Sequence, residues 1–200
     1  MKKIVLPGDL ILDRPLSLSN AYTEGGKTYA TTMGMLDETG KYTALKFVYK
    51  PKVGDLVIGL VIDVRHFGSI VDLNLPYRGA IPSRETRLRL ESGDIIVGKI
   101  KTIAISGDID ITDVKKLSRG KILDVPPAKV PRIIGKKNSM LSMIEESTNS
   151  KVVVGHNGYL WVSESGDIPL LTRVINEIVS NAHKSGLTDR MSKFIKENKR

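Results

Sequence analysis

Between Leu56 and Val64 an aliphatic residue occupies every second position (Leu56, Ile58, Leu60, Ile62, Val64). A period of two belongs to a β-strand with one apolar face, not to a helix. At hairpin distance follows Phe67-Gly68-Ser69-Ile70-Val71-Asp72-Leu73, then Arg78-Gly79-Ala80-Ile81, residues 94–103, and Asp108-Ile109-Asp110-Ile111-Thr112. Five such strands, with a longer polar connection over residues 83–93 between the third and fourth, predict a small Greek-key barrel of the oligonucleotide-binding type. A two-sheet sandwich is the alternative arrangement.

The flanks read differently. Before residue 53, turn signals at Pro7-Gly8-Asp9, Gly25-Gly26-Lys27 and Glu38-Thr39-Gly40-Lys41 separate short β-rich runs such as 28–35 and 42–49, which predicts a small β domain over residues 1–52. Lys50-Pro51-Lys52 opens the next unit, 53–117. After Ser118 the order becomes strand (121–125), helices (129–134 and 139–147), a hairpin (151–154 and 159–162) across His156-Asn157-Gly158, and a helix from Ile168 to His183. Leu171, Val174, Ile175, Ile178 and Ala182 stand at helical spacing there, with Asp167 as N-cap and Gly186 beyond the end. That is a β-α-α-β-β-α unit over 118–200. Leu187, Met191, Phe194 and Ile195 add a last amphipathic helix ahead of a basic tail, Lys196 to Arg200.

Composition narrows the chemistry. With 40% hydrophobic and 26% charged residues among 200, the chain is built to fold in water. It has no cysteine, which excludes disulfides, thiol catalysis, iron–sulfur clusters and cysteine-ligated zinc. Three scattered histidines (His66, His156, His183) argue against a histidine metal centre, and no cofactor is expected. No apolar run reaches the roughly 18 residues of a membrane span, and Pro7-Gly8-Asp9 interrupts any signal-peptide core, so a cytoplasmic location is expected. The net charge of +9 points to a polyanionic partner. Residues 118–200 carry most of that excess, with 14 basic against 8 acidic residues.

Two segments suit phosphate and bases. Arg132-Ile133-Ile134-Gly135-Lys136-Lys137-Asn138-Ser139 places a glycine-led turn and two lysines at a helix start, where backbone N–H groups and the dipole attract anions. A solvated interhelical turn would look the same. Arg65-His66-Phe67 sets an aromatic between cations at the barrel's first hairpin, and Arg78 is the further basic neighbour expected beside it. A barrel-core aromatic is the other reading of Phe67. The polar connection adds Arg84, Arg87 and Arg89, offset only by Glu85 and Glu91, as a solvated loop or as an electrostatic lining.

These residues carry a resemblance. The middle barrel resembles an S1 domain through Val53-Gly54-Asp55, Phe67-Gly68-Ser69-Ile70-Val71-Asp72-Leu73 and Gly79-Ala80-Ile81-Pro82-Ser83. In that family an aromatic at the place of Phe67 stacks on a base, whereas a second family aromatic is Ile70 here and the usual histidine is Pro82. The C-terminal unit resembles a KH domain whose GXXG loop is Gly135-Lys136-Lys137-Asn138, with asparagine at the second glycine. Asparagine tolerates the left-handed backbone such a turn needs. A β-rich segment opening with Leu6-Pro7-Gly8-Asp9, then S1, then KH, is similar in order to the RNA-binding cap subunits of the archaeal exosome. The resemblance implies a non-catalytic subunit that binds single-stranded RNA, favours A-rich tails and feeds a phosphorolytic 3′-to-5′ exoribonuclease ring. It further implies three cap subunits on a hexameric ring, alone or mixed with a zinc-ribbon cap protein. The N-terminal domain would dock on that ring.

Two other functions fit the residues. One is a free-standing S1/KH RNA-binding regulator. The other is a metal-dependent nuclease using Asp108 and Asp110, which would share one strand face.

Overall fold

A computed structural model describes residues 3–18, 20–45, 49–182 and 186–198. His183, the expected end of the helix from Ile168, and Lys199 and Arg200 of the expected tail lie outside them, as does part of the run expected over 42–49. The architecture is mainly β with an α+β module at the C-terminal end, and the chain divides into two compact units, Met1–Val48 and Tyr49–Arg200.

The first unit holds two three-stranded sheets. Strands β1 (Lys3–Val5), β5 (Gly34–Leu36) and β6 (Tyr42–Ala44) form one, in the order β1-β5-β6. Strands β2 (Leu10–Leu12), β3 (Ala21–Glu24) and β4 (Lys27–Ala30) form the other, in the order β2-β4-β3. The run expected over 28–35 is therefore split, its two halves serving different sheets. Val5, Ile11 and Ala30 make the small core, and the buried Thr28 hydroxyl donates to Arg14 O (2.8 Å) and accepts from Leu16 N (3.0 Å), fastening the intervening loop.

The second unit opens with a closed barrel. Strands β7 (Leu56–Arg65), β8 (Gly68–Asp72), β9 (Gly79–Pro82), β10 (Ile95–Ile103) and β11 (Ile109–Lys116) run in the order β10-β11-β9-β8-β7. All pairings are antiparallel except β9 with β11, and β10 closes onto β7. The interior is filled by Val57, Val61, Val71, Ile81, Ile96, Ile100, Ile109 and Ile111. On β7 the inward positions are thus Val57 and Val61. The alternating aliphatic row of the sequence lies outside, and a register shift between Val61 and Asp63 bends it at Ile62.

The rest of the second unit is strand β12 (Gly120–Asp124), helices α1 (Val130–Ile134) and α2 (Ser139–Thr148), strands β13 (Val152–Val154) and β14 (Tyr159–Ser163), then α3 (Ile168–Asn181) and α4 (Leu187–Asn198). The sheet order is β12-β14-β13, antiparallel throughout. Asp167 caps α3 as expected, its carboxylate accepting from Leu170 N at 2.8 Å. Leu171, Val174, Ile175 and Ile178 of α3 are buried against the sheet together with Met191 and Ile195 of α4. Gly186, in the left-handed region, directly precedes α4.

Barrel and α+β module share a second core. Ile58 and Val97 from the barrel's outer face pack with Trp161 of β14. Beside them Asn157, fully buried, donates from Nδ2 to Ile58 O (2.7 Å) and Leu73 O (2.8 Å) and accepts from Ile58 N (3.2 Å). His156 N also donates to Leu56 O at 2.8 Å. A Cβ on Gly155 would stand 2.3 Å from Asn157 Oδ1 and 2.9 Å from Ile58 N, so only glycine lets the two backbones approach this closely. Tyr159 and Asn74 extend the seam, bonding to Asp72 (3.2 Å) and Asp124 (3.0 Å) respectively. Burial and the Asp72 carboxylate push the Tyr159 phenol up to about 12.

Candidate nucleic-acid interface

The β7–β8 hairpin ends in a turn at His66 and Phe67, so it lifts Phe67 clear of the barrel interior. The ring is 57% exposed, which removes it from the core. His66 meets it edge-on, centroids 5.1 Å apart, and the Arg65 guanidinium carbon lies 5.9 Å from its centroid. Arg65 is held by a 2.7 Å bond from Nε to Asp63. The result is an aromatic face that water does not need to leave at great cost, flanked by cationic and imidazole groups.

Ser83 N donates to Phe67 O at 3.0 Å, tying the start of the arginine-rich connection to this turn. Arg84 therefore belongs to the same end of the barrel. Arg78 does not. It precedes Gly79, whereas Pro82 at the other end of β9 is the residue paired beside Phe67, with Gly68. At about 3.3 Å per strand residue, Arg78 sits roughly 13 Å away along β9.

The connection is pinned rather than loose. Glu85 accepts from Lys101 Nζ (2.6 Å) and Thr112 Oγ1 (3.0 Å), and these bonds hold its carboxyl below the usual carboxylate range. Leu90 is buried in the barrel core at the other end. Glu85 consequently faces β10 and β11, approached by Arg84 only at 3.6 Å. Arg87 and Arg89 are exposed and make no ion pair with a described residue. The sequence treats Glu85 as an offset to the arginines, and the structure gives it to the barrel wall. The only signal for this was its distance in sequence from Lys101, which carries no fold information on its own.

In the α+β module, Gly135 (φ 74°) follows α1 and has Met140 N 2.7 Å from where a Cβ would be. A short 3-10 turn, Lys136–Asn138, then leads into α2. Asn138 adopts φ 63° and Lys137 φ 52°, so both are left-handed. Asparagine accepts this conformation readily; lysine holds it at a cost of about 1–2 kcal/mol. No side chain caps the start of α2. Lys136, Lys137, Asn138 and Arg132 are exposed, and the three cations pair with no described carboxylate. The turn thus presents unoccupied charge next to uncapped N–H groups.

The aspartates proposed for metal chemistry are turned to hydroxyls. Asp110 accepts from Thr102 (3.0 Å), Asp108 accepts from Ser106 (2.7 Å) in the loop before β11, and Asp113 pairs with Lys99 (3.0 Å). Among the described residues no group of three or more metal-ligating side chains converges. None of their helices is long and apolar enough to cross a membrane.

A family model described as KH domain matches residues 120–166. An exosome complex component Rrp4 of Methanobrevibacter smithii is 37% identical over 95% of this chain and 70% of its own. The chain belongs to the Rrp4 family of exosome complex components. The Rrp4 proteins of Methanosarcina barkeri and Pyrococcus horikoshii are 36% and 32% identical over 98% and 97% of this chain, and over 82% of their own length in each case. A crystal structure described as an exosome complex RNA-binding protein superposes with a TM-score of 0.67 and 32% identity, over 76% of this chain and 97% of that one.

Proposed function

We propose that this Rrp4-family chain is a non-catalytic, RNA-binding cap component of the archaeal exosome. It holds single-stranded RNA, A-rich tails by preference, and passes the strand to a hexameric phosphorolytic 3′-to-5′ exoribonuclease ring. The observation that carries the reading is the exposed Phe67 ring between Arg65 and His66, with the arginine connection fastened to the same turn. A base stacks on an aromatic for about 1–3 kcal/mol without regard to sequence, while cations track the backbone. With Ile70 and Pro82 in place of further ring systems, charge supplies a larger share of the affinity. The Gly135–Asn138 turn, with Arg132, is the second proposed contact, directed at phosphates.

Residues 1–52 are assigned to docking, 53–117 to the S1 domain and 118–200 to the KH-like domain with its C-terminal helix. Docking is supported by the exposed apolar residues of the first unit, Ile4, Leu6, Leu10, Leu16, Tyr22 and Met33, a density that suits a covered surface. Three copies per ring, alone or alongside zinc-ribbon caps, would raise local RNA concentration through linked weak sites. Cytoplasmic residence goes with this role.

Two measurements test it. Fluorescence anisotropy of labelled single-stranded and duplex RNA at low salt should show binding of the single strand only. Size exclusion with ring subunits should shift the chain into a much heavier particle. Absence of single-strand binding at low ionic strength overturns the reading, and an unshifted chain that still binds RNA favours a free-standing regulator.

A further inference from the structure

A groove runs along the second unit from the arginine connection toward β13. It consists of two adjoining clefts of about 550 and 570 Å³ that share Asp113, Val114 and Lys115. Its origin is a bulge in β11. Val97 pairs with Lys115 but Lys99 pairs with Thr112, and Asp113 takes up the extra residue in a left-handed conformation, φ 53°. A bulge re-aims side chains and bends the strand. Here it lifts Lys115 beside an apolar floor made by Val97, Leu56, Val114 and, from β13 of the α+β module, Val153.

Charge around the groove is lopsided. Arg87, Lys99, Lys115 and Lys116 face it against the carboxylates of Glu85 and Asp113. Both carboxylates already accept from lysines, Lys101 and Lys99, and Lys116 is bonded to Asp94 at 2.7 Å. Lys115 and Arg87 remain without an ion pair among the described residues. Low-dielectric walls lined by one sign of charge focus the field into such a cleft. The groove also lies within chain reach of the proposed stacking site. Arg87 is four residues beyond Ser83, which bonds to Phe67 O, a reach of at most about 14 Å.

We propose that this groove is a second track for single-stranded RNA, in which Lys115 contacts backbone phosphate as the strand leaves the Phe67 end of the barrel for the edge of the α+β module. The assignment rests on the RNA-binding reading above and extends it to Lys115 near the C-terminal end of β11. Val114 and Val153 offer apolar contact to sugars and bases without selecting among them.

The test is a salt series of anisotropy titrations with two labelled oligoadenylates, one of about four nucleotides and one of about fifteen, the span of site sizes for such barrels. Each phosphate contact on a single strand contributes about 0.7 to the slope of log affinity against log salt. Lys115→Gln should lower the slope for the long strand by about 0.7 and weaken it several-fold, Lys115→Glu should do about twice as much, and Lys115→Arg should do neither. The short strand, held at Phe67, should bind all variants alike. Lys115 is exposed, so none of these changes disturbs the core. Equal long-strand slopes for Gln, Glu and wild type overturn the track while leaving the RNA-binding reading intact. Failure of wild type to bind either strand overturns that reading instead. RNA binding unchanged but ring assembly lost in Lys115→Glu would show that the groove takes an acidic protein segment, and would also overturn the track.

Discussion

Two glycine-led turns in the same α+β module have opposite fates. Gly155-His156-Asn157-Gly158, which spells G-x-x-G, lies in the seam with the barrel with all but His156 buried, and Asn157 satisfies three backbone groups of β7 and of the segment after β8. Gly135-Lys136-Lys137-Asn138 lacks the second glycine, yet it is the turn between the two helices and stays exposed. The position of a turn in the topology, rather than its spelling, decides whether it meets a partner or another part of the same chain. An asparagine serves in both, once as a buried polar clamp and once as a residue that tolerates a left-handed backbone.

The largest effect should come from breaking the buried member of the pair. Asn157→Ala strands Ile58 N, Ile58 O and Leu73 O in a dry seam, and we expect a loss of about 3 kcal/mol in denaturant unfolding. Trp161 emission should move to longer wavelength as water reaches the seam, and a loss below about 1 kcal/mol would demote the clamp to a passive filler. Phe67→Ala sharpens the contrast from the barrel side. It should leave stability unchanged, because the ring is exposed, but weaken single-stranded RNA by about 1–3 kcal/mol.

For the exposed turn, Lys136→Ala with Lys137→Ala should weaken many RNA sequences alike and lower the salt slope by about 1.4, two contacts at about 0.7 each. An unaltered slope would transfer the phosphate contacts to Arg65, Arg84 and the remaining connection arginines. The smallest effect is alkaline. The Tyr159 phenol titrates at about 12 in the folded seam against an ordinary 10.0, so its contribution is complete below pH 10 and is lost as pH rises from there toward 12. Stability measured across that window should fall, and Tyr159→Phe should flatten the fall.

Much of this was legible because local period survives folding. The barrel strands, the α+β order and the Asp167 cap all follow from spacing and capping chemistry that neighbours do not override. The exposed sides of those elements were less legible. On β7 both faces are apolar near its start, and spacing alone does not say that Val57 and Val61 fill the barrel while Ile58 is covered by Trp161 of a module a hundred residues on. Arg78 and Phe67 belong to neighbouring strands of the pattern, yet residue type does not reveal that a strand carries them apart at about 3.3 Å per residue. The setting of Lys115 depends on the bulge at Asp113, which no residue type in the run announces.

The Asn157 seam carries a consequence for the kind of strand the protein retains. With barrel and α+β module fused through a shared core rather than tethered by a flexible linker, the spacing between their surfaces is fixed before any ligand arrives. The molecule then behaves as a caliper. On the RNA-binding reading proposed above, an oligonucleotide whose unpaired stretch falls short of the gap would engage one jaw and dissociate, while one that bridges it would gain the second grip at no further cost in ordering the protein.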